Sequence, residues 1–161
     1  MTRIIKHILL MATGLFFMQV LAEGQLCTTK EPKQRRKKDE MQLIVSNGCI
    51  ADNFYLWDVG HQIQIKFMNG TPKQQAQVLS LAKEWEKYAN IKFVQVNTEP
   101  SSVRIEFGTG EENYSLLGTD AYQEDPSRHT LYLSSALFYD SIPLKQMVLH
   151  QFGHVLGLLH E

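Results

Sequence analysis

Gln62-Ile-Gln-Ile-Lys-Phe67-Met-Asn-Gly70-Thr-Pro72-Lys-Gln-Gln-Ala-Gln-Val-Leu-Ser-Leu-Ala82-Lys-Glu-Trp-Glu-Lys-Tyr88 decides how this chain folds, because its hydrophobic period changes once along its length. Ile63, Ile65 and Phe67 alternate with Gln64 and Lys66, the period of a half-buried strand. Asn69-Gly70 supplies turn chemistry. Thr71 is placed to cap a helix and Pro72 fits its first position. From there Ala76, Leu79, Ala82, Trp85 and Tyr88 recur every three residues, with Val78 and Leu81 beside them, so one apolar stripe faces a core. The spacing predicts a strand, a tight turn and a long helix ending at Asn90.

The same reading extends toward the C-terminus. Ile91, Phe93, Val94 and Val96 predict a second strand, and Val103, Ile105 and Phe107 a third, broken at Gly108-Thr-Gly110. Residues 114–122 read as a looser segment, Leu131-Tyr-Leu133 as a short strand. Ser141 and Pro143 start a helix that runs through His150 and His154. Strand, long helix, strands and helix in this order predict an α+β fold with one layer of sheet and helices packed on it. No internal repeat is present.

Toward the N-terminus the pattern fades, and regular structure is expected to begin near Trp57. Arg3 and Lys6 precede an apolar run from Ile8 to Ala22 with Val20-Leu21-Ala22 at its end, the layout of a secretory signal peptide over 1–22. The run is short for a bilayer-spanning helix, which needs about 20 apolar residues. Cleavage is therefore favoured over a retained anchor, and no membrane association is expected afterwards. Cys27 follows Gln25-Leu26 and lacks the small residues of a lipid-attachment site. Residues 23–55 read as an arm or linker, with a solvated basic run at 33–38; Arg35-Arg36-Lys37-Lys38 also suits processing. Residues 56–161 read as the one remaining unit, and the chain as a whole is of ordinary globular composition, 43% hydrophobic and 20% charged. A formal net charge of -1 gives no electrostatic footprint for nucleic acid.

The chemistry is concentrated at the end: His150-Gln-Phe-Gly-His154-Val-Leu-Gly157-Leu-Leu-His160-Glu161. Residues four apart share a helix face, so His150 and His154 can face one ion. Gly157 accepts a positive φ, which lets the chain leave the helix and swing back. His160 can then approach the same point from another side. Three imidazoles leave a fourth tetrahedral position open, as a catalytic zinc site requires. By contrast His61 and His129 stand alone and carry no assigned role.

This segment resembles the metzincin motif His-Glu-x-x-His-x-x-Gly-x-x-His of zinc metallopeptidases. Gly153, Leu156 and Leu158 are similar to the matrixin branch, and Glu161 to the astacin branch. Trp57, the strand Ile63–Phe67, Glu84-Trp85 with Tyr88-Ala-Asn-Ile91, and Val103-Arg-Ile-Glu-Phe107 resemble the N-terminal subdomain of bacterial secreted matrixin- or astacin-like peptidases. So does Tyr114-Ser-Leu-Leu-Gly-Thr-Asp-Ala121. The resemblance implies a twisted, mostly parallel sheet with an antiparallel edge strand, one long backing helix and an active-site helix. It implies Zn2+ at His150, His154 and His160, a peptide or protein substrate, and a secreted or periplasmic location. Ser115, Leu116, Leu117, Gly118 and Thr119 would form the edge along which an extended peptide pairs.

Two departures bear on activity. Where the family has its general-base glutamate, this chain has Gln151, which can hydrogen-bond water but cannot take up a proton at neutral pH. The motif is followed by Glu161 and no methionine turn, so the sequence reads as the N-terminal part of such a peptidase, truncated after the motif, and His160 as a ligand without packing support. The expectations are a secreted zinc metalloendopeptidase of impaired activity, an inactive zinc-binding pseudopeptidase that captures peptides, or a non-functional truncated fragment. The two cysteines, Cys27 and Cys49, leave two readings open after export. One is a disulfide closing the arm, favoured because no masking motif surrounds either residue. The other is a thiolate masking the zinc.

Overall fold

The computed structural model describes residues 27–29, 43–46 and 49–160. The segment expected as a signal peptide, the basic run 33–38 and Glu161 lie outside the described residues. The backbone of Cys27 and Cys49 is described but their side chains are not, so the disulfide expectation lies outside as well.

The chain runs β1 (Cys27–Thr29), β2 (Leu43–Ser46), β3 (Cys49–Asp52), β4 (Gln62–Phe67), α1 (Pro72–Ala82), β5 (Lys92–Gln95), β6 (Val103–Gly108), β7 (Asn113–Ser115), β8 (Leu131–Ser134), α2 (Ser141–Val155) and β9 (Leu158–Leu159). Six strands form one sheet in the order β1-β7-β8-β6-β4-β5. All its pairs are parallel except β7 with β8. This is the α+β arrangement that the strand and helix periods imply, with the mostly parallel sheet that the resemblance implies.

The switch of period is realised as read. Ile63 and Ile65 are fully buried on one side of β4. Thr71 and Gln74 form a reciprocal cap: the Gln74 amide N–H donates to Thr71 Oγ1 at 3.3 Å and the Thr71 N–H to Gln74 Oε1 at 2.8 Å. Gly70, just before Thr71, has φ +90°, and a Cβ there would lie 2.4 Å from a Phe107 ring carbon, so the turn needs glycine for conformation and for space. The α-helical part of the expected long helix ends at Ala82, and Lys83–Lys87 winds as a tighter 3-10 turn. In that turn the Trp85 indole donates to Leu149 O at 3.0 Å and the Glu86 carboxylate accepts the Phe93 N–H at 2.8 Å. Bonds to α2 and β5 thus take over where sequence period alone reads a continuous helix.

One buried cluster joins Ile63, Ile65, Phe93, Ile105, Leu131 and Leu133 of the sheet to Val78 and Ala82 of α1 and to Leu144, Val148, Phe152 and Val155 of α2. Both helices therefore cover the same face. On the other face the buried Arg104 guanidinium donates to the carbonyls of Ser101, Ala121, Glu124 and Arg128, which pins the loop after β7 to the sheet.

Regular structure begins earlier than Trp57. β1 lies parallel along β7, with Thr29 opposite Ser115. β2 and β3 form an antiparallel hairpin that takes β9 as a third strand, a second sheet that no periodicity announces. Among the described residues no helix is long and apolar enough to cross a membrane.

Candidate metal centre

Helix α2 starts at Asp140, whose carboxylate accepts the Ile142 N–H at 3.0 Å. Its apolar residues enter the core, with Phe152 edge-on to Phe93 at 5.2 Å between ring centres. The helix ends at Val155, and the buried Trp57 indole donates to Val155 O at 2.6 Å, satisfying a carbonyl that the helix itself leaves open. Gly157 follows with φ +95°; a Cβ there would lie 2.9 Å from Leu56 Cδ2. The chain reverses through this glycine into β9, and His160 comes next.

The reversal brings the three histidines together. The Nε2 atoms of His150 and His154 are 3.1 Å apart, those of His150 and His160 3.1 Å, and those of His154 and His160 3.0 Å. Two nitrogens about 2.1 Å from a tetrahedral zinc are separated by about 3.4 Å, so the set needs to open only slightly to hold one ion. His154 is buried, His150 half-buried and His160 exposed. Burial lowers the His154 pKa to about 4, and burial followed by the nearby His160 lowers that of His150. Both are neutral imidazoles at pH 7. His154 donates its Nδ1 proton to Leu158 O at 2.8 Å, which fixes the tautomer and leaves the Nε2 lone pair facing the other two rings. Three ring nitrogens this close form a group that could hold a metal ion.

The other sequence-derived site residues are placed less uniformly. Gln151 is fully buried, and its Nε2 donates to Asn113 O of β7 at 3.2 Å, tying the helix to that strand. Of the five residues expected as a peptide-binding edge, only Ser115 is in a strand. Leu116 and Leu117 follow, and Gly118 and Thr119 begin a 3-10 turn over Gly118–Gln123. Gly118 forces that turn: it has φ +47°, and a Cβ would lie 1.8 Å from Tyr55 O. The outer side of β7 is occupied by β1. His61 stacks on Trp57 and bonds the Tyr122 hydroxyl at 3.1 Å. His129 bonds Glu106 at 2.5 Å through Nδ1 and Tyr114 through Nε2. Two participants escaped the sequence reading. Leu158 acts through its carbonyl, which leaves no trace in residue type, and β3 acts through its backbone.

No protein-family model and no curated protein matches the chain. Among solved structures it is similar to a crystal structure of myroilysin, with a TM-score of 0.66 and 27% identity over 87% of this chain and 53% of that one. A second myroilysin structure gives a TM-score of 0.62 and 31% identity over 68% of this chain and 54% of that one. The chain spans about half the length of the structures it matches. The likeness establishes a metallopeptidase-like fold.

Proposed function

We propose that this chain is the zinc-binding N-terminal part of a secreted metalloendopeptidase of metzincin type, with Zn2+ held by His150, His154 and His160. The observation that carries the reading is the convergence of three Nε2 atoms at 3.0–3.1 Å, with the His154 tautomer set by Leu158 O. When bound, zinc supplies Lewis-acid polarisation of a scissile carbonyl and acidifies a bound water. The chain's own residues supply the rest. His150 and His154 hold their nitrogens on a rigid helix. Ser115 to Thr119 supply backbone groups on which an extended peptide pairs in this reading, with Ser115 in β7 beside β1.

Gln151 occupies the position of the general base and cannot remove a proton. Its amide binds the backbone of β7, so it joins the metal helix to the peptide-binding strand. This favours a second reading, a domain that keeps zinc and peptide affinity with little or no hydrolysis. Metal analysis and a zinc titration of the wild type and His154→Ala test the site: one zinc per chain in the first and none in the second supports it, and equal content defeats it. Hydrolysis of unfolded protein substrates by the wild type and Gln151→Glu separates peptidase from pseudopeptidase.

A further inference from the structure

His160 is the exposed member of the triad, and it follows a strand of only two residues. Among the described residues, the strand that holds this segment is β3, from a part of the sequence that reads as a linker. Ala51 stands opposite Leu158 and Ile50 opposite Leu159, so the ladder ends one residue before the ligand. Ala51 and Leu56 are buried in a small cluster with Ile44 and Leu158, separate from the main core. Ile44 belongs to β2 and pairs with Ala51, so the hairpin backs the ladder from its far side. Leu56 also packs on the turn at Gly157, and Trp57 holds the end of α2. The segment from Ile50 to Trp57 therefore grips the helix end, the reversal and the strand before the ligand.

We infer that the β2–β3 hairpin is a positioning element of the metal centre: by pairing with β9 it fixes His160 against His150 and His154 and so sets metal affinity. The inference rests on the reading of the triad as a zinc site. A ligand on an unpaired tail must be ordered when the ion binds, and that ordering opposes binding. A ligand held by a backbone ladder has been ordered during folding. Residues that orient ligands change metal affinity by about 10–100-fold when they are removed.

The test is a chelator-competition measurement of zinc affinity on the full chain, for wild type, Ala51→Pro, His160→Ala and the double variant. Thermal unfolding of the metal-free proteins is followed in parallel. Proline at 51 removes one backbone donor from β3, the strand that pairs with both β2 and β9. Ala51→Pro should bind zinc about 10–100-fold more weakly. The double variant should lie within about twofold of His160→Ala, because the strand acts through that ligand. Wild-type affinity in a folded Ala51→Pro protein, or losses that multiply in the double variant, would overturn the inference. If Ala51→Pro does not fold, Leu158→Ala decides, since it removes the packing against Ala51 and keeps the backbone. A loss of about threefold or more in a folded Leu158→Ala protein supports the inference, and unchanged affinity overturns it. Equal zinc content in wild type and His154→Ala would instead remove the metal site itself, and that outcome is read independently of the hairpin variants.

Discussion

Two histidine environments in this molecule differ in what becomes of the ring nitrogens. His129 uses both: Nδ1 meets the Glu106 carboxylate and Nε2 the Tyr114 hydroxyl, on the sheet face away from the helices. The triad at the end of α2 uses Nδ1 of His154 on a backbone carbonyl and turns three Nε2 atoms toward one another. A ring with both nitrogens engaged is a structural strut. Three rings whose Nε2 atoms lie within 3.1 Å of one another form a group that could hold a metal ion. Counting histidines would not separate the two; the placement of the ring nitrogens does.

The comparison breaks most sharply at His154. His154→Ala should abolish stoichiometric zinc binding, read by metal analysis after dialysis, whereas His129→Ala should keep one zinc per chain. Equal metal in the two variants would erase the distinction. Next in size is Gln151→Glu, expected to raise peptide hydrolysis by roughly 10²–10⁴-fold if the general base is what the cleft lacks. The same change removes a donor from Asn113 O and sets a carboxylate near that carbonyl, so stability should fall by about 1–3 kcal/mol, measured by denaturant unfolding. An equally fast Gln151 protein would place the base elsewhere.

A third effect is graded and concerns pH. The His150 and His154 pKa values are lowered in the folded state, so below the ordinary value of 6.5 the unfolded chain binds more protons than the folded one. Stability of the metal-free protein should be full above pH 6.5 and decline as pH falls toward about 4, where His154 titrates. Thermal melts in chelator at pH 7.5 and 5 check this; a flat profile, or one unchanged in His154→Ala, would assign the dependence to other groups. The smallest effect is the strut itself. His129→Ala should cost about 1–2 kcal/mol, the worth of two hydrogen bonds at a partly exposed ring, with zinc affinity unchanged.

The two regions also differ in how far the sequence discloses them. Strands β4 and β6 and helix α2 announce themselves because Ile63, Ile65, Val103 and Ile105 alternate and because residues 141–155 carry start signals and a continuous apolar face. The triad is legible for the same reason: helical spacing plus one glycine dictates where three side chains meet. The hairpin that backs His160 is not legible. β2 and β3 have four residues each and β9 two, too short for a period, and β9 lies about a hundred positions from β3. His160 reads as unsupported from sequence, and β3 corrects that. The antiparallel strand is legible through the resemblance, since Tyr114 and Ser115 pair antiparallel with β8, but β1 lies outside them and takes the edge, and Gly118 gives no warning that Tyr55 O closes the space beside it.

The two tryptophans of the chain carry a practical consequence. Trp57 donates to Val155 O and Trp85 to Leu149 O, so the two indoles bracket the helical stretch that holds His150 and His154. His61 lies stacked on the first at 5.0 Å. The stretch of α2 from Leu149 to Val155 is thus wired at both ends to the protein's intrinsic fluorophores. Any tilt or fraying of that stretch changes an indole hydrogen bond, and emission wavelength and intensity become a label-free gauge of how α2 is seated, with single Trp→Phe variants assigning the signal to one end or the other.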